Sequence, residues 1–482
     1  MEAKLMHVLG AVLLASLLPS SRSMAQEVSK RLSQAEAVAD VQQFFSTAQR
    51  VHPDLLAKVS LKAYIKLKQQ TLDDVAEKLD TDGKISVNDL AYVLSYAAAF
   101  FQDGHTKVHW RFQPDDSNTA GKRFPPFLLS YDNGRFVVVA SSSKNVEGLE
   151  VVSIEGKPIV EFLQPILDRI SGETLAYKAS CFTGEQAFWY SFSNVCGSGE
   201  SLTVKVRDAQ GKEIEHEVET VSVAGFQQLA SDAPDSKVEQ LRRQGTHVRF
   251  LDSDRIAHFV YPQFNLCEDE KKKVDSVFEQ IKAGNARDLI IDLRGNGGGN
   301  SAMGDFIFSY LYAEKFCSFS KGRVRLSRDV LSSVAKDWDV PEDADVDGIV
   351  VTGHATEESV ERPKAFYTGR AFLVVDNGTF SSAAGFAAMF RDYSVGTIIG
   401  YETGGLPVCF GDMYPTRLAN SGIYCGVSWK QFFGPKPRPG DDEHGVIPDV
   451  PMTAELLRAY QDEDDPVLAY TLDYVKKTRS GR

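Results

Sequence analysis

The chain has 482 residues, of which 43% are hydrophobic and 25% charged, with a formal net charge of −13. That length exceeds one ordinary core and predicts two or three domains of a soluble globular protein. With no basic block, the acidic balance argues against a nucleic-acid partner.

At the N-terminus Lys4 precedes the apolar run Val8–Leu18, and Ser23-Met24-Ala25 offers a small-residue cleavage site. Residues 1–25 therefore read as a signal peptide, too short to span a bilayer comfortably. The mature chain is expected to be exported, to a periplasm or the extracellular space. Six cysteines fit that destination. Sequence proximity would pair Cys181 with Cys196, Cys409 with Cys425 and Cys267 with Cys317, the second pair closing a hairpin.

Residues 26–104 read as a helical domain, because "AEAVADVQQFFSTAQRV" and "VNDLAYVLSYAAAFFQ" carry apolar residues at helical spacing. Between them "DTDGKISVNDL" imitates a calcium loop. With Gly83 at its sixth position the first ligand would be Lys78, so a polar turn is expected instead. Residues 105–227 turn β-rich, with strands in "HTKVHWRF", "RFVVVAS", "EVVSIEGKPI" and "SLTVKVRDAQGKEIEHEVETV" and a helical segment near 158–170. Residues 228–245 are polar and read as a linker.

Within 228–460 strands and helices alternate, which predicts an α/β sheet with crossover helices. Two strand-to-helix junctions stand out there. "LIIDLRGNGGGN" runs a buried strand into glycines, and "AFLVVDNGTFSSAAGFAAMFRDY" runs one into a serine pair. The glycine loop lacks the lysine of a phosphate loop and the spacing of a dinucleotide fingerprint. It fits either a tight turn or a cradle of backbone N–H donors for an anion. The serines fit either a helix cap or a nucleophile at a helix N-terminus. Taken together, the two loops supply the minimum for acyl transfer. Asp292, Arg294 and Asp392 read as anchors of the glycine loop and of a helix end. The last twenty or so residues read as a surface helix, with 461–482 as a tail.

"DLRGNGGG", then "NGTFSSAAGFAAMFRDY", "IIGYETGG" and "HGVIPDV", resemble the C-terminal-processing (tail-specific) serine peptidase family, in a branch similar to the tricorn core. "QDGHT" and "GLEVVSIEGKPI" resemble it as well, the latter as a degenerate PDZ element. The resemblance implies a crotonase/ClpP-like ββα catalytic domain, an N-terminal helical domain and a small PDZ-like middle domain that presents peptide, by strand addition. It implies peptide or unfolded protein as substrate and no cofactor. By position Ser381 is the nucleophile, and the N–H groups of Ser382 and Gly298 form the oxyanion hole. The family's lysine base falls on Leu406, which cannot take a proton. His105 is the substitute base, oriented by Asp442 or Glu443, with His444 as its rival. His105 and His109 also invite a zinc reading, but no third ligand accompanies them. Because relatives of this fold bind retinoids without proteolysis, the alternative is an inactive module that binds peptide or an apolar ligand.

Overall fold

The computed structural model describes residues 30–109, 121–132, 134–184, 192, 195, 199–253, 255–337, 349–354 and 362–480. The signal segment and Cys196 lie outside the described residues. No helix among them is long and apolar enough to cross a membrane.

A six-stranded sheet organises the C-terminal half, in the order His247–Leu251, Ile256–Val260, Asp288–Asp292, Arg370–Val375, Gly396–Gly400 and Val450–Pro451. The first pair is antiparallel and all others are parallel. Its central strands are buried almost throughout because both faces are covered. Ala257, Phe259, Leu289, Ile291, Leu373 and Val375 pack in one core with helices Glu268–Ala283, Ser301–Phe308 and Ser382–Asp392. The alternate residues Ile256, Ile290, Phe372, Val374 and Ile399 meet Leu468 and Val475. These belong to helix Pro466–Ser480, which is thus packed on the sheet and is not a surface appendage.

Asp288–Asp292 and Arg370–Val375 are parallel neighbours, with Asp292 opposite Val374. Both loops singled out in the sequence therefore leave the same sheet edge side by side. The carboxyl ends of parallel strands are where open α/β sheets bind ligands.

The middle segment forms an antiparallel sheet ordered Phe127–Asp132, Arg135–Ser141, Glu150–Ile154, Ser201–Arg207 and Glu213–Glu219. A bridge between Phe124 and Val221 brings its two ends together. The stretch read as a linker is helical over Val223–Asp232 and Lys237–Arg243. Ser236 and Glu239 form a capping box at the second helix, a start signal that its polarity obscured.

The N-terminal helices do not close a core of their own. Phe44, Leu90 and Leu94 share one with Val324, Leu418, Val427 and Trp429 from a second sheet. That sheet holds the long hairpin Val408–Arg417 and Tyr424–Phe433, to which strand Lys107–His109 adds at Tyr424–Gly426. The expected boundary at residue 105 thus falls inside this unit, and His105 comes to the site on the hairpin side. The "DTDGK" stretch is a polar turn, in which Asp80 accepts from the N–H groups of Asp82 and Lys84.

The hairpin around Cys409 and Cys425 forms, but the disulfide does not. Cys409 faces Phe432 and Cys425 faces Thr416, seven positions along the ladder. At ~3.3 Å per residue that separation far exceeds the reach of a disulfide. Cys267 and Cys317 are also free thiols.

Candidate active site

Ser381 does not cap its helix. It precedes helix Ser382–Asp392 without a side-chain cap bond, at φ 51° and ψ −128°. A non-glycine residue is strained there, and such strain persists where the surroundings over-determine it. The neighbouring loop supplies that constraint. Phe380 N–H donates to the Asn296 carbonyl at 2.9 Å, and Thr379 Oγ1 donates to the Leu293 carbonyl at 2.9 Å. Asp376 accepts from the N–H groups of Gly295 and Gly378 at 2.8 and 3.0 Å. Ser382 Oγ donates to the Gly299 carbonyl at 2.7 Å. The serine pair thus divides its work: one hydroxyl ties the loops together, and the other is left for the base.

That base is His105, whose Nε2 lies 3.0 Å from Ser381 Oγ across 276 residues of sequence. Its ring stacks on Phe380 at 4.9 Å between centroids, and Phe380 stacks on Tyr177 at 4.2 Å. Tyr177 belongs to helix Leu175–Gly184, so the middle segment buttresses the base through the residue before the nucleophile. Burial lowers His105 below the ordinary histidine value, while the charges of Asp103 and Asp412 oppose that fall. The imidazole is therefore neutral at neutral pH, as a general base must be.

The acids expected to orient it are elsewhere. Asp442 and Glu443 are exposed, and Asp442 lies 3.8 Å from Lys58. Their turn is held by Asp441, which binds Arg391 through both oxygens. His444, the rival base, is also exposed and lies 3.7 Å from Glu402. The carboxylate beside the base is Asp103, which accepts from the His105 backbone N–H at 2.9 Å. Burial works against the Asp103 charge, but interaction with His52 outweighs it and holds the carboxyl well below the usual range. Asp103 acts on the ring through its field, while the Phe410 backbone carbonyl faces the imidazole and favours its protonated form. The signal for Asp103 was legible in "DGH": an aspartate two residues ahead closes an Asx turn.

Of the two expected oxyanion donors, the Ser382 N–H has no partner among the described residues. The Gly298 N–H does not share that freedom, because it donates to Asn296 Oδ1 at 2.9 Å. Asn296 is fully buried and its Nδ2 donates to the Tyr261 carbonyl, so its side chain is a fixed strut of the loop. Gly298 serves by its shape. At φ 93°, a Cβ there would stand 2.7 Å from Ser381 Cβ and 2.8 Å from Ser382 N. Gly298→Ala is expected to displace both the nucleophile and its neighbouring donor. Loss of one oxyanion donor costs about 3–4 kcal/mol of transition-state stabilisation, so kcat should fall by about two decades or more. The strained φ should lower the melting temperature as well.

Behind the loop, Arg294 binds Asp292 and reaches both oxygens of Asp465, which precedes the C-terminal helix. Asp292 also meets His258 Nε2 at 3.0 Å. Asp292 and Arg294 are thus the anchors the sequence suggested. Asp392 accepts from the Lys436 N–H, fixing the end of the nucleophile helix.

Glu173 gave no sequence signal. Both its carboxyl oxygens are buried with no side-chain partner, facing only the backbone N–H groups of Gly104 and of Glu173 itself. Burial, with Asp103 adding to it, pushes this carboxyl up to about 8. The folded chain thus keeps a proton that the unfolded chain releases near pH 4.5. The neutral carboxyl is tolerated below that pH, and stability falls as pH rises toward 8. The cost at pH 7 is on the order of 3 kcal/mol. Glu173→Gln is expected to melt above the parent at pH 8, with the gap closing near pH 5. Equal gaps at both pH values would show that Glu173 is not a buried acid.

Residues 255–452 match the model of peptidase family S41. No curated protein sequence matches the chain. Among solved structures, a serine-to-alanine mutant of CPAF is 16% identical and superposes with a TM-score of 0.64, over 90% of this chain and 96% of that one. Mature CPAF complexed with lactacystin is 14% identical with a TM-score of 0.61, over 93% and 98%. At these identities the likeness shows a shared fold along nearly the whole of both chains.

Proposed function

The chain belongs to peptidase family S41 through residues 255–452, and on that premise we propose that it is a serine endopeptidase using a histidine base. The observation that carries this reading is the 3.0 Å approach of His105 Nε2 to Ser381 Oγ. His105 takes the hydroxyl proton as Ser381 attacks the scissile carbonyl, then returns it to the leaving amine. The Ser382 N–H receives the developing oxyanion. The second donor is the Gly299 N–H, which has no partner among the described residues and follows the Gly298 carbonyl bound to Phe264 N–H. Leu406, at the family's lysine position, is buried and apolar. This chain therefore runs the reaction without that lysine.

The middle segment is the PDZ-like element that delivers extended or unfolded peptide, and residues 1–25 direct export. Tyr177 on Phe380 and Tyr401 Oη on Asp132 at 2.5 Å, two contacts between the middle segment and the catalytic sheet, support delivery to this edge. A fluorophosphonate probe tests the reading. Labelling of Ser381, absent in Ser381→Ala and suppressed in His105→Ala, is expected. An unlabelled but folded protein would favour the inactive binding module.

A further inference from the structure

Beyond the catalytic loops, a cavity of about 420 Å³ opens beside the glycine loop. Its charged lining residues are Glu239, Arg242, Arg243, Glu270 and Lys273. Four of them are engaged. Glu239 accepts from Ser236 N–H in the capping box, and Arg243 pairs with Asp235. Glu270 accepts from Thr246 and from Lys273 Nζ, the latter at 2.9 Å.

Arg242 is the exception. Its side chain has no ion pair or hydrogen bond among the described residues, and its Nε is buried without a partner. Glu239, one helical turn earlier, is its obvious internal partner but is held by the cap. A guanidinium carries a planar fork of donors matched to an oxyanion, and leaving a buried donor orphaned is unfavourable. The fork also has a fixed seat, since Arg242 Nη1 would lie 3.0 Å from a Cβ on Gly295.

We propose that this cavity binds an oxyanion group, a carboxylate or a phosphate, on the Arg242 guanidinium with Lys273 beside it. The ligand pairs with the guanidinium and offsets its uncompensated charge. Glu270, already occupied by two donors, faces it as a spectator. The site borders the glycine loop at Gly295, whereas Ser381 packs against the same loop at Gly298.

The test titrates the full chain with inorganic phosphate and, separately, with citrate, against sodium chloride at equal ionic strength. Calorimetry and the thermal midpoint are both read. Saturable binding of at least one anion is expected, with a midpoint rise that chloride does not reproduce. Arg242→Gln should abolish it, and Arg242→Lys, which keeps the charge but loses the fork, should weaken it about tenfold or more. Phosphate alone or citrate alone identifies the group. Should the glutamine variant fail to fold, the lysine variant carries the comparison. No saturable binding by either anion, or unchanged binding in the lysine variant, overturns the proposal.

Discussion

Ser381→Ala is expected to lower kcat for a peptide substrate by about four decades or more, with the fold retained. Removing the nucleophile leaves only binding and oxyanion stabilisation, which account for a small residue of the acceleration in serine hydrolases. The side chain makes no cap bond, so its loss removes no support from the helix. Ser382→Ala should behave differently. Its hydroxyl holds the Gly299 carbonyl, whereas its N–H is retained. A modest loss of activity with some loss of stability is expected there. Activity in Ser381→Ala, measured after removing trace contaminating protease, would show that the hydroxyl beside His105 is not the nucleophile.

The positions of the two loops were legible because they follow from chain order and strand burial. Apolar runs at 288–292 and 370–375 predicted parallel strands, and parallel strands put both following loops at one edge. The partner of Ser381 was legible for a different reason. The lysine position of the resembled family holds Leu406, which cannot accept a proton, and "DGHT" resembles the motif that carries a base histidine in the tricorn-like branch. What sequence did not show is how the hairpin side folds back. Strand Lys107–His109 reads as the start of the β-rich middle, yet it pairs with Tyr424–Gly426. Pairing of residues so distant in sequence leaves no local trace in the strand itself.

The orienting acids failed on geometry of the same kind. Asp442 and Glu443 stand in a turn whose direction is set by Asp441 and Arg391, a tertiary contact. Three carboxylates within three positions offered no local way to tell which points inward. Asp103, by contrast, acts through a turn contained in "DGH". The cysteine pair failed through register. A hairpin places residues near its open end and residues near its turn far apart, so proximity in sequence was a poor guide to proximity in space.

The base gives the second large effect. His105→Ala should reduce kcat/KM by about two to four decades, the usual range for a positioned general base. The pH profile supplies the more specific test. His105 must be neutral to accept the Ser381 proton, so activity rises as pH increases through its apparent pKa. Burial lowers that value below the ordinary 6.5 of histidine, against the raising fields of Asp103 and Asp412. The rising limb should therefore lie on the acid side of 6.5, with a plateau through neutral pH. Asp103→Asn removes the larger raising field while the amide can still accept the His105 backbone N–H. Its rising limb should move to still lower pH, with kcat reduced because the imidazolium formed in the transition state loses a counter-charge. His444→Ala, an exposed site beside Glu402, should leave both limb and plateau in place. A rising limb in Asp103→Asn displaced toward higher pH would mean that another carboxylate sets the field at the base.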